Sequence, residues 1–168
     1  MIDQQVTTNF NLKEFTYSDT ALRLGMVTPE IPADVLNNLC KITIPKCQQA
    51  RDIIGLPFHI NSGWRWLELE AIITHSHNTT GAHPKGLASD VICPGMDRVD
   101  VFSALISDKI FMEDVDQLIL EAGCIHIGMR NDGKRPRKEL RKDQWIDGSR
   151  HYPLIAIWPT TLGWRTRL

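Results

Sequence analysis

Residues 83–90 read His-Pro-Lys-Gly-Leu-Ala-Ser-Asp, and they are the most informative segment of the sequence. Gly86 permits a sharp turn that a side chain would obstruct, so His83 before the turn can fold back beside Asp90 after it. Asp90 itself lies in a mostly apolar run, residues 87–92, which is typical of a buried strand. A carboxylate is costly to bury there unless a cation or several hydrogen-bond donors meet it.

A second histidine, His126, stands between two isoleucines in another run that is typical of a strand. A lone strand histidine is more often a core residue than a ligand. Two imidazoles and one carboxylate, however, are a common protein contribution to a catalytic zinc ion, and they leave a fourth coordination position open. Because His83, Asp90 and His126 all suit the same ion, we predict a Zn²⁺ site with these three ligands.

Two other histidines, His75 and His77, are the main alternative ligands. They form a His-x-His pair in residues 74–80, a polar segment that is typical of an exposed loop. A cysteine-rich zinc site is not expected, because no two cysteines form a Cys-x-x-Cys pair. Free thiols are expected at Cys40, Cys47, Cys93 and Cys124.

A predicted hairpin supplies a candidate general base. Two strand patterns are separated by residues 122–123, and a two-residue loop there pairs Ile119 with His126. Because paired and alternate residues share a face, Glu121 then points to the same side as His126, within reach of a water on the metal. Asp116 falls on the opposite face in this register and is assigned to orienting the backbone. A one-residue bulge would exchange the two assignments.

The remaining patterns predict helices and strands in irregular order. Apolar residues recur at helical spacing over residues 33–54, where Pro45 is expected to kink or break the helix. Further helices are predicted within residues 9–25 and 97–110, and strands at 58–61, 87–93, 115–121, 124–130 and, as an edge strand or packed tail, 152–158.

Because strands and helices do not alternate strictly, we assign the chain to the α+β class. The expected architecture is a small, mainly antiparallel sheet flanked by N-terminal helices, with the zinc site on the sheet. The length of 168 residues fits one domain. Its core is expected over residues 9–142, followed by a C-terminal extension at 143–168.

Several motifs together match the pattern of a known family. His83, Gly86, Ala88 and Asp90 form an H-x-x-G-x-A-x-D element, followed by His126. The upstream run Ser-Gly-Trp-Arg at 62–65 and the segments 9–15 and 116–119 fit the same pattern. Over residues 9–142 the chain resembles the D-alanyl-D-alanine carboxypeptidase family of zinc peptidases, in its phage-type branch that cleaves cell walls.

The resemblance implies a zinc-dependent metallopeptidase that cuts stem peptides or cross-bridges of peptidoglycan. Such an enzyme is a D-Ala-D-Ala carboxypeptidase or endopeptidase and acts in the manner of an endolysin. It also implies that His83, Asp90 and His126 bind zinc. Arg65 would hold the carboxylate of the substrate or the developing oxyanion.

Two positions depart from the family pattern. The serine that often stands two residues before the first ligand is replaced by Gly81, and the acidic base three residues before the last histidine is replaced by Gly123. The hairpin argument assigns the base to Glu121 instead. The missing acid also motivates a second hypothesis, a non-catalytic zinc-stabilised binding or virion-structural domain. The hedgehog signalling domain, which has a similar fold, is known chiefly as a zinc-bearing binding module.

A local basic cluster motivates a third hypothesis, nucleic-acid binding. No recognised nucleic-acid motif surrounds the cluster, so a solvated face or attraction to an anionic wall polymer is favoured. The cluster comprises Arg130, Lys134, Arg135, Arg137, Lys138, Arg141 and Lys142.

The composition gives no sign of a nucleic-acid or membrane partner. Hydrophobic residues make up 42% of the chain, and its formal net charge is −1. No run approaches the roughly 20 apolar residues of a membrane helix. Because residues 1–5 carry neither a basic region nor an apolar run, we expect synthesis in the cytoplasm without a signal peptide. We expect a monomer that acts on the bacterial cell wall, as a phage protein would.

Overall fold

A six-stranded sheet forms the centre of the molecule. The computed structural model describes residues 4–76, 80–146 and 149–158. Its strands are β1 (His59–Ser62), β2 (Ala88–Ile92), β3 (Val115–Leu120), β4 (Ile125–Met129), β5 (Glu139–Lys142), β6 (Gln144–Ile146), β7 (Ser149–His151) and β8 (Leu154–Ile157).

The strand order in the main sheet is β1-β2-β4-β3-β5-β8, and β6 pairs with β7 in a separate two-stranded sheet. All neighbours in the main sheet are antiparallel except β3 and β5. One face of the sheet contributes Val91, Leu118, Ile127 and Leu140 to the same core that the helices line. The predicted α+β class with a mainly antiparallel sheet is therefore confirmed.

Helices occupy much of the chain before β3. A short 3₁₀ turn (Leu12–Phe15) is followed by α1 (Asp19–Arg23), α2 (Ala33–Asn38), α3 (Ile44–Ile54), α4 (Leu67–Thr74), α5 (Arg98–Ser107) and α6 (Lys109–Glu113). No helix in these described ranges is long and apolar enough to cross a membrane.

The helix predicted over residues 33–54 is interrupted just before Pro45, the residue expected to kink or break it. A π-helical turn, Leu39–Thr43, separates α2 from α3, and Pro45 lies in the first turn of α3. Proline has no backbone N–H, so a change of helical hydrogen bonding just before it removes the need for that donor. Helix α3 ends at Gly55, which has a left-handed φ of 72°.

This interrupted helix holds the turn between His83 and β2. The side chains of Asn38 and Thr43 donate to the carbonyl oxygens of Lys85 and Gly86, at 2.9 and 2.7 Å. Gly86 has a φ of 66°, and a Cβ added there would lie 2.9 Å from the carbonyl oxygen of Val35. Both the backbone conformation and the close approach therefore require glycine in this turn.

The chain after Lys134 contains more regular structure than its polar composition indicates. Strand β5 pairs with β3, and β8 pairs with β5 as the edge strand, which is one of the two structures expected for residues 152–158. Strands β5, β6 and β7 had no clear pattern in the sequence. Residues 143–146 and 149–158 of the expected extension thus join the main sheet or form the small sheet of β6 and β7, and residues 147–148 and 159–168 fall outside the described ranges.

Candidate metal centre

The structure brings the three predicted ligands together. Asp90 on β2 pairs directly with His126 on β4, and His83 lies in the turn before β2. All three are buried, with 4–7% of their surface exposed. One ligand atom from each lies within 4.8 Å of the other two, and within the described ranges this is the one such cluster.

The distances between the three ligand atoms fit a bound metal ion. His126 Nδ1 lies 2.9 Å from Asp90 Oδ1, while His83 Nε2 lies 3.2 Å from His126 Nδ1 and 3.3 Å from Asp90 Oδ1. Zinc bonds of 2.0–2.1 Å in a tetrahedron place neighbouring donor atoms about 3.3–3.4 Å apart. The observed triangle approximates one face of such a tetrahedron, so the cluster can hold a metal ion.

The protons of the cluster support the same conclusion. His83 Nδ1 lies 2.7 Å from the carbonyl oxygen of Gly63, which can only accept, so Nδ1 carries the proton and Nε2 presents a lone pair. Asp90 is an acceptor when ionised. His126 Nδ1 lies near both Asp90 Oδ1 and His83 Nε2, and a single proton on Nδ1 cannot be donated fully to both. A cation can accept a lone pair from each of these three atoms, so it suits the site better than hydrogen bonds do.

Arg65 lies against the ligand carboxylate. It donates to the second oxygen of Asp90, while its Nε donates to Ser62 Oγ at 2.7 Å and its Nη1 lies 3.4 Å from Glu70 Oε2. The resemblance implies a contact of Arg65 with substrate, and in the structure its donors contact Ser62, Glu70 and Asp90, a position from which it can orient the Asp90 carboxylate.

The Asp90 carboxyl is strongly biased toward its charged form. Without a metal ion, burial would raise its pKa, but a protonated His83 and the hydrogen bonds from His126 and His83 would outweigh burial and hold the pKa well below its usual range. A charged carboxylate at this depth requires positive charge nearby.

Asp90, His126 and Ile119 lie on one face of the sheet, here called the metal face. Glu121 lies on the same face, as the hairpin predicts. Ile119 pairs with His126, and the N–H of Glu121 donates to the carbonyl of Cys124, so the register across the turn is confirmed. The Glu121 side chain is 14% exposed. Burial, and then the negative charge of Asp90, raise the pKa of its carboxyl, although His126 and Arg150 act in the opposite direction.

Asp116 lies elsewhere than expected. The ladder shifts between Val115 and Gln117, so Asp116 is the extra residue of a bulge rather than a member of the opposite face. Its Oδ1 accepts the backbone N–H of Arg137 at 2.7 Å, and its Oδ2 accepts from Nε and Nη2 of the same residue at 2.9 and 2.6 Å. The bulge does not reach Glu121, whose pairing is undisturbed.

A cleft of about 890 Å³ adjoins the metal face at Gly128. Gly128 follows His126 by two residues on β4 and pairs with Gln117 on β3. Because Glu121 is on the other side of His126 along the strands, the cleft and the carboxylate flank the metal centre from opposite directions. Polar groups predominate in the lining, including Asn37, Asn38, Lys85, Gln117, Arg130 and Asn131.

Within the described residues, the other candidate features of the sequence add no ligand to the cluster of three. His75 is exposed at the C-terminal end of α4, and His77 falls outside the described residues. All four cysteines are free thiols, as expected. In the basic cluster, Arg130 and Arg137 pair with Asp116, and Arg141 pairs with Glu139.

Three residues near Glu121 were missed in the sequence. Arg150 Nη1 lies 3.5 Å from Glu121 Oε2, Asp143 contacts the turn after Glu121, and Tyr152 lies close enough for the Glu121 charge to help raise its phenol pKa, after burial. These contacts join segments that are more than 20 residues apart, and no local spacing indicates them.

No protein-family model matches the chain, and no curated protein matches it. The chemistry of the site therefore rests on its own geometry and on the motifs in the sequence.

Proposed function

We propose that the protein is a zinc-dependent peptidase that cleaves peptidoglycan stem peptides or cross-bridges. The observation that supports this proposal best is the buried triangle of two imidazole nitrogens and one carboxylate oxygen, with the largely buried carboxylate of Glu121 on the same face of the sheet. The substrate class comes from the motif resemblance over residues 9–142.

His83, Asp90 and His126 would hold the ion. A Zn²⁺ ion supplies Lewis-acid activation of water and of a peptide carbonyl. Glu121 takes a proton from the attacking water and delivers it to the leaving amine. Burial raises the pKa of its carboxyl, and a higher pKa favours delivery of the proton to the leaving amine.

The cleft beside Gly128 is the proposed site for the peptide chain. Its amide side chains offer donors and acceptors to a peptide backbone. Its charged members largely neutralise one another, since Arg130 lies within 3.5 Å of Asp116 and 2.6 Å of Asp132. Such a lining favours a polar, uncharged segment of substrate over a strongly anionic one.

The test is cleavage of purified cell wall by the full chain, with zinc, with chelator, and with zinc restored. We expect wall lysis that chelator abolishes and zinc recovers. Glu121→Gln should keep its zinc and lose about 10²–10⁴-fold in rate. Glu30→Gln, at an exposed position away from the cluster, is the matched control. Zinc-loaded protein that leaves the wall intact would reject the proposal, and full activity of Glu121→Gln would remove Glu121 from it.

One observation favours the alternative, a zinc-stabilised binding or virion-structural domain. Nε, Nη1 and Nη2 of Arg65 each have a protein partner, so the guanidinium is engaged before any substrate arrives. On this reading, zinc raises the melting temperature and the protein sediments with purified wall, but no new amino termini are released. Release of amino termini separates the two candidates.

A further inference from the structure

Arg150 reaches the metal face from a part of the chain that the family motifs do not cover. It lies on β7, in the separate two-stranded sheet formed by β6 and β7. Its Nη1 lies 3.5 Å from Oε2 of Glu121, just after the end of β3. The Arg150 side chain is 38% exposed and that of Glu121 is 14% exposed, so this ion pair is partly shielded from water.

Asp143 anchors the same arrangement to the β3–β4 turn. Its Oδ2 accepts the N–H of Ala122 at 2.8 Å, and its own N–H donates to the carbonyl of Leu120 at 3.0 Å. Nε of Arg150 lies 3.8 Å from that Asp143 oxygen. Arg150 therefore lies between two carboxylates, one of which is fixed to the turn beside Glu121.

Other contacts restrain Glu121 as well. Arg98 donates to its backbone carbonyl, and the thiol of Cys124 lies 3.6 Å from the same Oε2 that Arg150 approaches. A glutamate side chain has several rotatable bonds, and fixing it in one geometry costs conformational entropy. A cation that holds one carboxylate oxygen in advance lowers that cost at the moment of reaction.

We propose that Arg150 is a positioning residue that holds the Glu121 carboxylate on the metal face, so that β6 and β7 form part of the catalytic site. Its catalytic consequence rests on the proposed peptidase function. The contact between Arg150 and Glu121 does not depend on that function, because it is an interaction between two side chains of the protein. Residues 143–146 and 149–152 are thus a functional part of the domain rather than an appended tail.

Kinetics on a soluble wall peptide test the catalytic consequence. Arg150→Gln should lower kcat by about 10- to 100-fold with little change in KM, since a misplaced catalytic group slows the reaction without weakening binding. Arg150→Lys should recover part of the loss, because it keeps a positive charge. Arg23→Gln, the same change at an exposed position on α1, should match the wild type.

A second measurement needs no activity. Carboxyl ¹³C NMR of glutamate-labelled, zinc-loaded protein follows the ionisation of Glu121, whose signal disappears in Glu121→Gln. Removing the Arg150 charge should move this titration to higher pH, and Arg150→Lys should move it back. The groups that act on Glu121 are Asp90 on β2, Cys124 just before β4, His126 on β4, Arg150 on β7, and Tyr152 after it.

The outcomes separate the two proposals. If the wild type does not cleave wall peptide, the peptidase proposal fails, and the NMR titration alone decides whether Arg150 holds Glu121. If Arg150→Gln matches Arg23→Gln in both measurements, the positioning role is overturned. A shifted titration with unchanged kcat would also overturn it, because the contact would then have no catalytic consequence.

Discussion

Asp90 and Asp116 are two buried aspartates on strands that flank β4, and they differ in what meets their charge. Asp90 is 4% exposed and Asp116 is 5% exposed. Asp116 accepts three hydrogen bonds from Arg137, one of them from the backbone. Asp90 has Arg65 at one oxygen and two histidine nitrogens at the other.

This difference separates a structural carboxylate from one that can bind a metal ion. Arginine donors carry permanent protons, so the oxygens of Asp116 are satisfied by the protein itself. Histidine nitrogens can present lone pairs to a cation, so Oδ1 of Asp90, unlike Oδ2 beside Arg65, has two partners that can bind a metal ion together with it. Burial alone does not distinguish the two sites, whereas the chemistry of the partners does.

The largest expected effect comes from replacing each aspartate by asparagine. Zinc at a thousand times its dissociation constant should stabilise the wild type by about 4 kcal/mol. Asp90→Asn should lose most of this stabilisation, because an amide is a weaker ligand than a carboxylate. Thermal melts with and without zinc, together with metal content after gel filtration, measure the effect.

Asp116→Asn should behave in the opposite way. It removes the carboxylate charge that both Arg137 and Arg130 contact, leaves Arg137 only its 3.4 Å contact with Glu139, and should cost about 1–3 kcal/mol with or without zinc. The increment that zinc adds should equal that of the wild type. Loss of the zinc increment in Asp116→Asn would break the comparison, because it would place Asp116 in the metal centre.

The next effect concerns the arginines that hold the two carboxylates. Arg65→Lys keeps the charge but loses the planar fork that contacts Ser62, Glu70 and Asp90 together, so zinc affinity should weaken by about 10- to 100-fold. Arg137→Lys should leave zinc affinity unchanged and lower the melting temperature. Competition with a chromophoric chelator gives both dissociation constants, and equal values for the two variants would contradict this assignment.

The cluster of His83, Asp90 and His126 could be predicted because its signals are local. The turn at Gly86 and the apolar strands around Asp90 and His126 can each be recognised from a segment of a few residues. The two-residue hairpin loop then sets the register that brings Glu121 to the metal face. Alternation along a strand then requires no knowledge of the rest of the chain.

The supporting partners could not be predicted, because long-range packing selects them. The bulge at Asp116 depends on how Arg137 returns to the sheet, and the contact of Arg150 with Glu121 depends on where β7 lies. The motif around Arg65 assigns it to substrate binding, yet its partners in the structure are the Asp90 carboxylate and the side chains of Ser62 and Glu70. Sequence spacing gives no measure of such choices.

The pH dependence of cleavage extends the comparison to a third carboxylate. Asp90 has its pKa held well below the usual range and stays charged, whereas burial and the Asp90 charge raise the pKa of Glu121. A base must be unprotonated, so activity is present above the raised pKa of Glu121 and is lost as the pH falls through it. We expect this acid limb to lie above the ordinary glutamate pKa of about 4.3.

Metal content must be followed in the same pH series, because protonation of His83 and His126 would also abolish activity by releasing zinc. The limb belongs to Glu121 if zinc remains bound across it and if the residual activity of Glu121→Gln lacks it. An acid limb that coincides with zinc release would assign it to the ligands.

The smallest expected effect is at Gly128, which lies between the two regions. A Cβ there would lie 3.1 Å from Nε2 of His126 and 3.6 Å from Cβ of Gln117, so the imidazole must move by a few tenths of an ångström. Since His126 would move while Asp116 keeps its arginine partners, Gly128→Ala should weaken zinc binding by less than about 10-fold, with little loss of stability without metal. Gly123→Ala is the control, because nothing lies within 4 Å of its added Cβ. If Gly128→Ala binds zinc as tightly as Gly123→Ala, then the imidazole of His126 can shift without loss of affinity. In that case Asp90 and Asp116 differ in the chemistry of their partners but not in how rigidly those partners are held.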